Sequence, residues 1–574
     1  MRGDIPIAEM EALIDTARGE AEADLVLING QVVNVFSGEI QSLNVVIKGR
    51  RIAGLGDYRQ GHRVLDLNGR YIIPGLIDSH IHIESSLLTP AAFAAAAVPH
   101  GTTAIIADPH EIVNVGGLAA WEYMVKAARN LPLDIFYNVP SCVPATHMET
   151  AGASFGLAEI TRAFEIFPES PGLAELMNYP GVLYKNPTVL QMIRQTLGDG
   201  RRIDGHAPAL ELNDLNAYLS TGISSDHECT CQEDALEKLR RGMQVLIREG
   251  SCAKSLSELL PLVNDFNMSS FSFCCDDRHA GDLLEEGEID AILRQAVHLG
   301  MPPVQAVRIA SLNTARHYGL FDRGAVAPGY LADLVVVDDL TNFTVRQVIK
   351  NGQVVADNGS LMVTLREESE PAILNSVHIP DITGKLVPEK PNWAKKARVI
   401  EVMAEQVLTG ALLIPADELD KYNLSNLAVI ERHGKNGGIG HGLVKGLGLE
   451  RGALASTVGH DSHNLIVAGR DEASMELAVS TVADMGGGLA VVAEGQVLAS
   501  LALPVGGLMS PNPAAEVAAA YEKIEAAAHS IGCTLPAPFM TLSFLPLAVI
   551  PAIRLTDHGL VDVNEFQLVD LWLP

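Results

Sequence analysis

The chain has 574 residues, too many for one hydrophobic core, and at roughly 100–200 residues per domain it should hold two to four folding units. Apolar residues make up 48%, so burial is no obstacle, and 70 acidic against 41 basic residues leave a net charge of −29. Such a surface repels nucleic-acid phosphates and anionic membranes, which argues against both as partners.

The start, "MRGDIPIAEMEALIDTARGEAEADL", is acidic and amphipathic and lacks the basic start and apolar run of a signal peptide. The stretch "FLPLAVIPAI" near the end is too short and too proline-broken to span a bilayer. Seven irregularly spaced cysteines argue for a reducing compartment, so the expected location is the cytoplasm.

Residues 7–18 read as a helix stopped at Gly19. From 23 to about 71 short apolar runs alternate with turn signals, and Asn29-Gly30 reads as a hairpin turn. The string "NGQVV" occurs at 29–33 and again at 351–355. Two halves of one small β-sandwich, 1–75 and 320–375, are therefore expected to flank an insert at 76–319. In the insert, strand-like segments fall at 77–83, 103–107, 134–139, 172–176, 202–206, 222–227, 243–248 and 270–275. Helical patterns at 117–129, 187–197, 209–219, 232–241 and 283–299 lie between most of them. Eight strands with helical crossovers fit an α/β fold of the (β/α)8, TIM-like barrel type. A doubly wound sheet is the alternative, but no Gly-rich phosphate loop supports it. "VPEKPNWAKK" marks a boundary, and 376–574 read as a C-terminal mixed α/β domain.

In such a barrel reactive groups gather at the C-terminal strand ends. This chain puts His80 and His82 on the first strand, Asp108, His110 and Glu111 after the second, and Glu175 on the fourth. His206 ends the fifth, His227 and Glu228 the sixth, and Asp276 and Asp277 the eighth. Along a strand, residues two apart share a face, so Asp78, His80, His82 and Glu84 should line one side. One such strand end is weak evidence, but a series of imidazoles and carboxylates suits two divalent ions. Glu175 is the candidate bridge between them, since a carboxylate spans two metals where an imidazole does not. Water between the ions would become nucleophilic, and Asp276 can both ligate and accept its proton.

"PGLIDSHIHIESS", "DGHAP", "SDHE", "CCDDRH" and "GAVAPGYLADLVVVD" resemble the amidohydrolase superfamily. Within it, "DSHIHIESSLLTP", "ADPHEIVNV", "GLAELMNYPGV" and "VGGLMS" are similar to the adenine deaminases that carry an extra C-terminal domain. The resemblance spans nearly the whole chain. It implies a metal-dependent barrel, a split β-sandwich, two ions that are manganese or iron, and hydrolysis of a small purine base, adenine, to hypoxanthine and ammonia in purine salvage. By motif it assigns His80, His82, Glu175, His206, His227 and Asp276 as metal ligands, with Glu175 in place of the carboxylated lysine of many relatives. One departure is "FCCDD", where a threonine or serine would precede the aspartates, which leaves Asp276 against Asp277 open as the strand-eight ligand.

Of the other polar groups, Glu228 can protonate a ring nitrogen during attack or serve as salt-bridged support. Asp108, His110 and Glu111 either cap a helix or contact the purine and support the ligands. Asp78 and Glu84 are expected to orient His80 and His82. Cys229, Cys231, Cys274 and Cys275 read as small buried side chains. "GHDSHN", with His460, Asp461 and His463, reads as a substrate-covering loop or local structure, with a further metal site as the alternative. Hydrolysis of a cyclic amide or an N-acyl substrate is disfavoured because no lysine stands on the fourth strand, and a non-catalytic scaffold because no ligand is missing. Barrels of this kind commonly pair, so a homo-oligomer, a dimer, is expected.

Overall fold

The computed structural model describes residues 5–403 and 408–574. Its centre is a set of eight short parallel strands: β1 (Leu76–Ile81), β2 (Thr102–Ala107), β3 (Asp134–Tyr137), β4 (Gly172–Leu176), β5 (Arg202–Gly205), β6 (Ser225–Asp226), β7 (Gln244–Arg248) and β8 (Phe271–Cys274). Parallel ladders join β1 to β2, β2 to β3, β4 to β5, β6 to β7 and β7 to β8, with register shifts in the first and third. A Val139–Leu173 bridge carries the series from β3 to β4, and Ser224 N donates to Ile203 O at 3.0 Å between β5 and β6. A parallel bridge from Ile81 to Asp276 returns β8 to β1. The strands thus follow each other in sequence order around a ring. β1 and β2 are buried on both faces, β2 with mostly apolar or small side chains and β1 with Asp78, Ser79 and His80 buried among its apolar residues.

Several boundaries depart from the sequence reading. β1 stops at Ile81, and Ile83–Ser86 form a 3-10 turn, so Glu84 leaves the face shared by the residues before it. The 222–227 strand shrinks to Ser225–Asp226, and the 283–299 helix splits into Ala280–Glu285 and Ile289–His298 around Gly287 at φ +105°. The 117–129 helix begins earlier, at His110, and kinks at Gly117, whose φ of +56° breaks the helical path.

Asn29-Gly30 closes no hairpin. Ala23–Ile28 pairs with Asn44–Lys48 and Gly61–Asp66 in a four-stranded sheet. Gln31–Val33 pairs instead with Ile40–Ser42 and Tyr71–Pro74 in a seven-stranded one. The turn passes the chain between two layers, and a Cβ at Gly30 would meet the Ile72 side chain at 2.8 Å. Both "NGQVV" copies lie in the seven-stranded sheet, where Leu334–Val337 pairs with Tyr71–Pro74 and so joins the two flanks of the ring. One apolar cluster, including Leu25, Ile47, Ile72, Val336 and Ile349, fills the space between these sheets. Lys350 ties them to the ring, donating to Asp134 at 2.6 Å and Asp333 at 2.8 Å.

A further sheet of nine strands runs from Lys396–Val402 to Gln496–Ala502, with Trp572–Leu573 pairing back onto the first of these. Helix Glu472–Asp484 packs its apolar face on it through Met475, Ala478, Val479 and Val482. This module reaches the ring mouth: Ser510 N donates to Leu87 O at 2.8 Å, and Thr89 N to Ser510 O at 3.1 Å. No helix among the described residues is long and apolar enough to cross a membrane.

Buried polar groups brace the strand ends. Asp204 accepts from Asn138 at 2.6 Å, Ser225 at 2.7 Å and Tyr318 at 2.9 Å, and so stitches β3, β5 and β6 together. Asp226 accepts from Ala207 N at 2.8 Å and from the fully buried Lys238 at 2.9 Å, which fixes the backbone beside His206 and His227. Lys238→Met leaves Asp226 buried without a cation. It is expected to cost about 3–5 kcal/mol of stability in urea unfolding, and a loss under about 1 kcal/mol would refute this bracing role.

Candidate functional site

The polar residues at the strand ends converge on Glu175, which sits near the C-terminal end of β4 and is 4% exposed. Its Oε1 lies 3.3 Å from His82 Nε2, and its Oε2 lies 2.6 Å from His206 Nδ1 and 3.3 Å from His227 Nε2. His80 Nε2 and His82 Nε2 are 3.2 Å apart, and Asp276 Oδ1 is 3.3 Å from the first and 3.2 Å from the second. His206 and His227 follow β5 and β6 directly, and His227 stacks on His80 with ring centroids 4.1 Å apart. One oxygen of Glu175 thus faces His82, which His80 and Asp276 adjoin, and the other faces the histidines that follow β5 and β6.

These spacings fit metal ligation. On an ion with bonds of about 2.1 Å, neighbouring donor atoms sit about 3.0–3.4 Å apart. His80, His82 and Asp276 have that separation from one another, and Glu175 Oε1 has it from His82, so these four could hold one ion. The other Glu175 oxygen, with His206 and His227, could hold a second. The nitrogen and oxygen donors are those of a divalent transition-metal site.

The electrostatics point the same way. Burial opposes the charge on Glu175, but His206 and His227 outweigh it and hold the carboxyl well below its usual range. Burial likewise opposes the charge on His82, but Asp276 and Glu175 raise its pKa well above an ordinary imidazole. Burial also resists ionisation of Asp276, and Arg248 overcomes it, keeping this carboxyl well below the usual range. Negative charge concentrated in a buried cleft attracts protons, and a cation placed there would displace them.

The strand-eight aspartates part company. β8 ends at Cys274, and Asp276 adopts a left-handed φ of +59°, so strand alternation no longer decides where the two side chains point. Asp276 Oδ1 is aimed at His80 and His82, while Asp277 Oδ1 turns away and accepts from Ser85 Oγ at 2.5 Å. Arg248, at the end of β7, donates through Nη1 to Asp276 Oδ2 at 2.6 Å and to Glu228 Oε1 at 2.6 Å. Glu228 also lies 3.3 Å from His227 Nε2. Sequence reading passed over Arg248, although a charged residue closing the apolar run "MQVLIR" was itself a signal.

Asp78 and Glu84 do not orient the imidazoles. Asp78 accepts backbone N–H groups, from His80 at 3.0 Å and Cys275 at 3.2 Å. Glu84 accepts from Ile112 N at 3.2 Å in the first turn of the helix beginning at His110. Burial pushes the Glu84 carboxyl up to about 7. His82 is oriented instead by a carbonyl: its Nδ1 donates to Asp108 O at 2.9 Å, a group that a sequence pattern cannot display.

Asp108, His110 and Glu111 all reach the mouth. Asp108 Oδ1 accepts from His110 N at 3.0 Å, as a helix-start carboxylate does, while its Oδ2 lies 3.1 Å from His110 Nδ1. Glu111 is gripped by the C-terminal module: His460 Nδ1 contacts Oε1 at 2.5 Å, and His463 Nε2 contacts Oε2. Gly459 N donates to His463 Nδ1 at 3.2 Å, so the proton of a neutral His463 sits on Nε2 and is given to Glu111. That tautomer leaves His463 no lone pair for a metal, so the "GHDSHN" loop serves here as an interdomain clasp. The buried Arg432 holds the loop from behind through His463 O, and donates to Gly506 O at 2.9 Å.

Residues 71–355 match the family model described as the amidohydrolase family, and residues 406–567 match that described as the adenine deaminase C-terminal domain. The chain is 47% identical to the adenine deaminase of Dehalococcoides mccartyi (strain ATCC BAA-2266 / KCTC 15142 / 195), over 98% of this chain and 99% of that one. It is 47% identical to the adenine deaminase of Desulfatibacillum aliphaticivorans over 98% and 99% of the two chains, and 44% identical to that of Kosmotoga olearia over 98% of each. The ring accordingly lies in the part of the chain that matches the amidohydrolase family. Within that class, the full-length matches and the C-terminal domain show that the chain belongs to the adenine deaminase family.

The clasp on Glu111 can be tested directly. His463→Ala leaves one buried oxygen of Glu111 unpaired, which costs about 1–3 kcal/mol. Equilibrium unfolding should show the loss in the transition that reports the C-terminal module, and wild-type stability would show that the contact holds nothing.

Proposed function

We propose that the chain hydrolyses adenine to hypoxanthine and ammonia at a two-metal centre in the mouth of a (β/α)8 barrel. The observation that carries this reading is the Glu175 carboxylate, with His82 on one oxygen and His206 and His227 on the other. The full-length likeness to proteins named adenine deaminase supports the choice of reaction and base. In this reading His80, His82, Glu175, His206, His227 and Asp276 hold two divalent ions, manganese or iron. Such ions lower the pKa of a water molecule and polarise the carbon it attacks.

The chain's own groups then manage protons. Asp276, kept ionised by Arg248, takes the proton of the attacking water and returns one to the departing amine. Glu228, fixed by the same guanidinium nitrogen, passes a proton to a ring nitrogen during attack and recovers one from the new hydroxyl as it becomes the carbonyl, so its protonation state is restored at the end of each turnover. Asp108, His110 and Glu111 line the base-binding side, and Asp277 anchors the turn at Ser85. The parts divide as a split β-sandwich (1–75 and 320–375), a metal-bearing barrel (76–319) and a C-terminal α/β domain (376–574) that closes the mouth. The seven unpaired cysteines suit the cytoplasm, where the enzyme works as a homodimer.

Ammonia release should be faster with adenine than with adenosine or adenosine monophosphate, and equal or faster turnover of the nucleoside would sink the substrate assignment. Asp276→Asn should keep much of its metal yet lose at least ~10²-fold in kcat. Asp277→Asn should stay active, and the opposite order would transfer the shuttle to Asp277. Glu175→Gln should cost more bound metal than Glu228→Gln in elemental analysis, and the reverse would reassign the bridge.

A further inference from the structure

We propose that a third divalent cation binds between Asp108 and His110, with Glu175 Oε1 as a shared ligand. Asp108 Oδ2 and His110 Nδ1 are 3.1 Å apart, both residues are at most 4% exposed, and neither atom has a hydrogen-bond partner. Buried polar atoms are almost always partnered. These two have the separation of a hydrogen bond without its geometry. They also have the separation of neighbouring donors on one ion, about 3.0–3.4 Å for bonds near 2.1 Å. His110 Nδ1 lies 3.7 Å from Glu175 Oε1. One donor atom each from His82, Asp108, His110 and Glu175 falls within 4.8 Å of the others.

The surroundings are built to hold such a pair. Asp108 Oδ1 accepts from His110 N at 3.0 Å, which fixes the carboxylate plane and leaves Oδ2 free. Among the described residues no lysine or arginine pairs with Asp108, so its charge has no permanent counter-charge. On the far side of the ring, His110 Nε2 faces Glu111 Oε1 at 3.7 Å and Asp461 Oδ1 at 4.0 Å. Neither contact is a hydrogen bond, but the two negative charges favour a proton on Nε2, which leaves Nδ1 as the nitrogen able to ligate. Asp461 belongs to the loop that clasps Glu111, so the third ion links the C-terminal module to the ring mouth. Three protein donors leave a coordination position open for water.

The inference rests on the two-ion reading only through the shared Glu175 ligand. The test is anomalous diffraction at the manganese edge from the full chain saturated with manganese, with elemental analysis in parallel. A peak between Asp108 Oδ2 and His110 Nδ1 is expected. Asp108→Asn should remove it, taking bound manganese from three to two per chain. His110→Gln serves the same purpose if Asp108→Asn does not fold. Wild-type protein with no peak there, or a peak that survives both substitutions, overturns the proposal. Peaks at His80/His82 and at His206/His227 report the two-ion centre separately, so failure of either reading is visible by itself.

Discussion

The arrangement at the ring mouth depends on one carboxylate. Glu175 is buried and ionised, and His82, His206 and His227 all approach it. A buried charge is tolerated only where opposite charges or donors compensate it. Three strand ends from across the ring must therefore stay in register for Glu175 to remain ionised. The parallel ring meets that demand, because it delivers the ends of consecutive strands to one rim.

That rim needs bracing of its own, since buried imidazoles and carboxylates pack poorly in an apolar core. Asp204 and Asp226 supply the bracing under the strand ends, the latter through Lys238. Arg248 plays the matching part above them, joining Asp276 and Glu228 with one guanidinium nitrogen. It also keeps Asp276 in the ionised form that a proton acceptor needs. The C-terminal module acts on the same rim, because His460 and His463 hold Glu111 in the first turn after β2. That helix start also carries His110, so the module's grip extends to residues facing Glu175. An amidohydrolase ring with a C-terminal domain thus has its mouth assembled from two separate parts of the chain.

The sequence by itself determined the parts that obey local rules. Alternating and continuous apolar runs marked the eight ring strands, because each strand buries its side chains within a few residues. The repeat of "NGQVV" marked two flanks of one β layer, and ligand-type residues at successive strand ends marked the rim. Tertiary structure alone decided the rest, because it turns on contacts between distant residues and on backbone groups. Asn29-Gly30 has the composition of a hairpin, yet strand partners far along the chain drew its two arms into different sheets. Spacing put Glu84 on the face of His82, but the chain turns at the rim and gives its carboxylate to Ile112. Asp276 and Asp277 are adjacent in sequence, and only the left-handed backbone at Asp276 settles which one meets the histidines. His463 and Glu111 lie far apart in the chain, so no pattern along it could announce their contact, and folding alone brings them together.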